Sequence, residues 1–170
     1  MWGIRGRKSL GIVAVLLALF FIFSVFVVPR INPPRPTIHS SLVPAGGVSR
    51  AIVRSQSPKT SRPGTFVPPY QPHHIDFTSS NGPVDVYFVR FSGDGPQAEV
   101  DEMLRLTQQL EAGQPPQEFL AKGSGQQGRI ELAGWWPFGW ANSVVLVRSQ
   151  QESEVQLVIH YGPNSTAPGE

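Results

Sequence analysis

Nineteen consecutive residues, Leu10 to Val28, carry no charge, and only Gly11 and Ser24 soften their apolar character. As a helix rising 1.5 Å per residue such a run is about 28 Å long, close to the ~30 Å hydrocarbon core of a bilayer. A domain this small has no interior able to surround a helix that is apolar on every face. A cleaved signal peptide shares the order of basic then apolar residues, but its apolar core is usually about 7–15 residues long and ends at a small-residue site. Here the run leaves through Val27-Val28-Pro29-Arg30. The expectation is an uncleaved signal-anchor: a cytoplasmic segment over 1–9 and one transmembrane helix over 10–28. Arg5, Arg7, Lys8 and the terminal amine outweigh Arg30 and Arg35 on the other flank. The positive-inside rule therefore predicts a single-pass protein of the cell membrane with its N-terminus cytoplasmic and the rest extracytoplasmic.

Charge has to be read on each side of that run. The chain of 170 residues has a formal net charge of +2 from fourteen basic and twelve acidic residues, but three of the basic ones precede Leu10 and all the acids come after Val28. The chain beyond Val28 is therefore close to neutral, which argues against nucleic acid as a partner. Cysteine is absent. That excludes disulfides, thiolate metal sites and a cysteine nucleophile, so the fold holds by packing.

Ten prolines lie between Pro29 and Pro72, and they favour extended backbone. A Pro-rich tether is expected over 29–36, one folded unit over 37–162 and a flexible tail over 163–170. Within the unit, Thr37 to Val43 and Val48 to Arg54 flank Pro44-Ala45-Gly46-Gly47 and are expected to pair as a hairpin. A long Ser/Pro-rich loop over 55–72 comes next. His74 to Thr78 and Val84 to Phe91 alternate around Asn81-Gly82-Pro83, a second expected hairpin. Ala98 to Ala112 has helical spacing, with Val100, Met103, Leu104, Thr107 and Leu110 or Glu111 on one face. Strands are expected again at Arg129 to Leu132, Ser143 to Arg148 and Glu154 to Tyr161, the last two joined by Ser149 to Ser153 as a hairpin loop. Val144 to Val147 is apolar on both faces, which places its strand centrally. The fold class is mainly β: a transmembrane helix, then one antiparallel β-sandwich of six or seven strands with a single inserted helix packed on one end or edge.

The segment HIDFTSSNGPVDVYFV, then GRIEL, then SVVLVRSQQESEVQLVIHY resembles the strand pattern of Golgi-dynamics (GOLD) type domains and related small bacterial accessory β-sandwiches. The likeness covers about half of the chain and rests on patterning. It implies an interaction or structural module. The helix at Ala98 to Ala112 departs from that pattern.

Few residues offer chemistry. Gly123-Ser124-Gly125-Gln126-Gln127-Gly128 spells G-x-G-x-x-G, but a dinucleotide needs a helix to begin there, and the pattern continues into a strand. A flexible Gly/Gln loop is expected instead, and no cofactor. His74 and Asp76 share a strand face, from which His73 points away; with His160 on the last strand they are the candidate metal ligands, two from one strand with no second motif to complete a site. A hydrolase built on His74, Asp76 and His160 requires them to converge in one pocket. No G-x-S-x-G or H-E-x-x-H signature is present. Trp135, Trp136, Phe138 and Trp140 are the candidate interaction residues. Three roles suit them: core filling by Trp140, an interfacial loop on the bilayer, or a platform for a sugar or a partner. Arg50, Arg54, Lys59 and Arg62 read as a solvated basic stretch, and Asn164-Ser165-Thr166 is a glycosylation sequon by pattern. The functional expectation is a non-catalytic interaction or scaffold module of the cell envelope with an envelope protein as partner; the alternative is sugar or lipid binding through Trp135 to Trp140.

Overall fold

Strands form where the β-branched and aromatic residues cluster, and in the computed structural model they build two antiparallel four-stranded sheets. The structure describes residues 4–23, 34–56, 70–91, 95–132 and 143–162. In chain order the elements are α1 (Ile4–Ile22), β1 (Thr37–Val43), β2 (Val48–Val53), β3 (Pro72–Ser79), β4 (Val84–Arg90), α2 (Pro96–Glu111), β5 (Ala121–Gly125), β6 (Gln127–Glu131), β7 (Ser143–Ser149) and β8 (Ser153–Tyr161). Sheet A has the order β1-β8-β3-β6 and sheet B the order β2-β7-β4-β5.

The two orders match position by position. Each short connection, β1 to β2, β3 to β4, β5 to β6 and β7 to β8, carries the chain from one sheet to the other. The three expected hairpins are therefore arches. Alternation fixes which residues face the core, but it does not fix which strand lies alongside. Here the apolar faces of successive strands meet across the interior: Val43 with Ala51 and Val53, Ile75 and Phe77 with Val84, Val86 and Phe88, and Val145 and Val147 with Val155, Leu157 and Ile159 all belong to one buried cluster. Hydrogen bonds come from distant strands, so that Thr37 registers with Ile159 and Phe77 with Leu157.

The expected central strand is central: β7 lies between β2 and β4, and Val144 to Val147 are fully buried. Its second face is covered by α2, which lies on the outer face of sheet B and not on an end or edge of the sandwich. Leu106 and Leu110 pack there with Tyr87, Val89, Phe91, Val144 and Leu146. The buried stripe is Leu106, Thr107 and Leu110, with Met103 half-buried beside it, while Val100 and Leu104 stay 43% exposed. Two overlapping i, i+3, i+4 sets exist in this helix, and the stripe that includes Leu106 seats more apolar surface on the sheet. Pro96 opens the helix and Gly113, at φ 81°, closes it.

The expected Gly/Gln loop is a correction. Lys122 to Gly125 pairs with β4, and Gln127 to Glu131 pairs with β3, so the G-x-G-x-x-G run is an arch between two edge strands. Its glycines are there because the core rises to meet the backbone. A Cβ on Gly123 would stand 2.8 Å from Ile130 and 2.9 Å from the Phe77 ring, and one on Gly128 would stand 2.7 Å from the same ring.

Helix α1 displays Ile12, Val13, Val15, Leu16, Leu17, Leu19, Phe20 and Ile22 to the exterior. Among the described residues no helix is long and apolar enough to cross a membrane. The helix spends its opening turns on Arg5, Arg7 and Lys8 and ends at Ile22, and the remainder of the expected span lies outside the described residues. Most of the tether, the loop over 57–69 and the tail over 163–170 also lie outside them, although backbone hydrogen bonds between Gln56 and Tyr70 close the base of that loop.

The glycine arch yields a stability test. Gly123→Ala should lower stability by about 1–3 kcal/mol through overpacking against Ile130 and Phe77. Chemical denaturation measures it, and Ile130→Val should return part of the loss; an unchanged midpoint would mean that the arch has room to spare.

Candidate functional site

Three strands of sheet A bring titratable groups together on its outer face. β3 carries His74 and Asp76 on one face, and antiparallel pairing sets His74 opposite His160 of β8 on one side and Glu131 of β6 on the other. Asp76 stands opposite Arg129 of β6. The His74 and His160 rings stack with centroids 4.2 Å apart and planes 14° from parallel. His160 Nε2 lies 3.2 Å and His74 Nε2 3.9 Å from Asp76 Oδ2. The convergence of His74, Asp76 and His160 that the sequence left open is present.

Arg129 fixes the carboxylate. Its Nε donates to Asp76 Oδ1 at 2.6 Å and a terminal nitrogen donates to Oδ2 at 3.0 Å, a two-point grip that sets the plane of the carboxylate. That hydrogen-bonded guanidinium also holds the Asp76 carboxyl below its ordinary value, against the opposing effect of partial burial. His74 is pushed down from its ordinary value, first by burial and then by the positive character of His160 and Arg129, with Asp76 and Glu131 pulling the other way. At neutral pH the cluster presents an ionised carboxylate beside a neutral His74 imidazole.

His73 is a correction to strict alternation. The register shifts between Pro72 and His74, a β-bulge that turns two successive histidines toward each other. Their Nδ1 atoms lie 3.1 Å apart and their rings meet edge to face. His73, His74 and Glu131 thus form a second group of donors beside His74, Asp76 and His160, with the donor atoms of each group within 4.8 Å of one another. Sequence reading set His73 aside as pointing away from the shared face, and missed Arg129 and Glu131. The bulge leaves no signature in the sequence, and the other two enter only through the β3–β6 register.

The remaining candidates separate from this cluster. Trp135, Trp136, Phe138 and Trp140, the candidate interaction residues, lie outside the described residues. So do Lys59 and Arg62, while Arg50 and Arg54 are exposed on and just beyond the edge strand β2, as a solvated stretch requires. Asn164 is outside as well.

The two sides of the sandwich differ in character. The β5/β6 side carries Lys122, Arg129 and Glu131, all exposed. The β1/β2 side exposes Ile38 at 48%, Leu42 at 66% and Ile52 at 43%, on strands whose only formal charge is Arg50. Charged side chains are what usually guard an edge strand, and β1 has none.

No family model, curated protein or solved structure matches this chain, so none bears on the likeness to Golgi-dynamics domains.

Because the folded His74 takes up a proton less readily than the unfolded residue, with its ordinary value of 6.5, the unfolded state binds more protons as the pH falls below 6.5. Stability is then lost through the window beneath 6.5 and levels off below the folded value. Asp76 adds a further loss below 3.8, completed as the pH passes its lowered folded value. Urea midpoints should fall between about pH 7 and pH 5, with a shallower slope in His74→Gln. A variant that keeps the full slope would remove His74 from the explanation.

Proposed function

We propose that this chain is a single-pass membrane protein whose extracytoplasmic sandwich has no catalytic role and binds another envelope protein through the open β1/β2 side. The observation that carries this reading is the exposed apolar edge. Ile38 and Leu42 occupy outward positions on the edge strand of sheet A, and Ile52 does the same on the edge strand of sheet B. Among the described residues no strand pairs with the outer edge of β1, and an edge of that kind, with Ile38 and Leu42 exposed and no charge within β1, suits an extended segment of a partner protein, which adds as a further strand. The charged β5/β6 side is poorly suited to that task.

The membrane part of the proposal rests on α1 together with the sequence beyond it. Beyond Lys8 the helix α1 carries no charge, and an exposed stretch of that kind favours a nonpolar surround. The uncharged run continues to Val28, which gives the length a bilayer requires. The absence of cysteine makes the topology directly testable. In intact cells a membrane-impermeant maleimide should label Glu152→Cys, while Gly6→Cys should react only after permeabilisation. Equal labelling of both without permeabilisation would rule out this orientation.

The partner-binding part is tested by placing a photo-crosslinking residue at Leu42 and, as a control, at Glu131 on the opposite side. A discrete adduct from position 42 alone, abolished by adding Ile38→Lys, is the expected result. Ile38 is exposed, so that substitution should change stability by no more than about 0.5 kcal/mol. Identical adducts at both positions, or insensitivity to Ile38→Lys, would show that the β1/β2 side is not the docking edge.

A further inference from the structure

The geometry points to a divalent transition-metal site, with zinc's preferences, formed by His74, Asp76 and His160 on the outer face of sheet A. This goes beyond the proposed partner binding and does not depend on it. A tetrahedral ion held at ~2.0–2.1 Å by nitrogen and oxygen sets each pair of donors about 3.3 Å apart. The His160 Nε2 to Asp76 Oδ2 separation is 3.2 Å and that from His74 Nε2 is 3.9 Å, so these two pairs already stand close to the requirement. Two imidazoles and one carboxylate are a donor set that zinc accepts while keeping a fourth position for water. Asp76, with 32% of its side chain exposed, opens the site to solvent, while the side chains of His74 and His160 are 11% and 3% exposed.

Supporting contacts are already in place. Arg129 orients the carboxylate through both oxygens. His73 Nδ1 faces His74 Nδ1 at 3.1 Å, and when His74 donates along that contact, its Nε2 is left as a bare lone pair toward Asp76. This is the orienting bond that a ligating histidine ordinarily makes with its other nitrogen. The ring stack must change on loading. An ion lies in the plane of each imidazole that binds it, and rings 14° from parallel cannot share one. Binding therefore opens the stack, with one of the two rings turning out of it.

The test is a zinc titration of the purified full-length chain in detergent, competed against a chromophoric chelator and paired with the visible spectrum of the cobalt(II)-loaded protein. One ion per chain and a four-coordinate cobalt spectrum are expected. Asp76→Asn and His160→Gln should each weaken binding by more than the roughly 10–100-fold that losing a supporting residue costs, and His73→Gln by about tenfold. His39→Gln, on β1, should bind as the parent does. Asp76 is partly exposed, so Asp76→Asn keeps the question open to test should His160→Gln fail to fold. Absence of binding by the parent chain, or equal affinity in the parent and Asp76→Asn, would overturn the site and leave an adventitious ion only.

Discussion

The apolar layer between the two sheets holds this domain together, because none of its four short connections joins strands that are hydrogen-bonded to each other. In a hairpin, the turn and the ladder support one another locally. Here each turn delivers a strand to the opposite sheet, and the two halves of every arch meet only through side chains such as Phe77, Val86, Val147 and Leu157. Sheet order therefore rests on side-chain packing across the interior as well as on backbone pairing. That dependence explains why Gly123 and Gly128 lack side chains where the Phe77 ring comes closest to the backbone.

The two outer faces of the sandwich differ in what covers them. Sheet B covers its outer face with α2, burying β7 on both sides. Sheet A has no such helix among the described residues, and polar groups occupy its outer face: histidines, Asp76 and Arg129 over β3, β6 and β8. The exposed apolar residues Ile38 and Leu42 sit at the opposite edge, on β1, with the half-buried Val158 of β8 between Ile38 and Asp76. The titratable cluster and the exposed apolar residues of β1 thus lie toward different edges of one sheet, outside the core.

How far the sequence disclosed this depends on where the information resides. β8 was legible because Val155, Leu157, Ile159 and Tyr161 alternate with polar residues, and β7 because its residues are apolar on both faces. β5 was not: Ala-Lys-Gly-Ser-Gly has no apolar stripe and becomes a strand through pairing with β4 and through the space its glycines vacate. At the candidate site, the shared face of His74 and Asp76 came from strand periodicity. The contributions of His160, Arg129 and Glu131 required the register, and that of His73 required a bulge. Arch and hairpin have the same alternation, so the exchange of strands between sheets was invisible.

The outermost strand of sheet A is also the first to be made. Thr37 registers with Ile159, so β1 has no hydrogen-bonding neighbour until β8 leaves the ribosome, and β3 likewise waits for β8 on one side. Sheet A cannot assemble progressively during synthesis; it closes in a late step, when its central strand arrives. Until then β1 and one side of β3 lack the strand that pairs with them, and such unpaired strand edges are where a chain still being made is prone to aggregate.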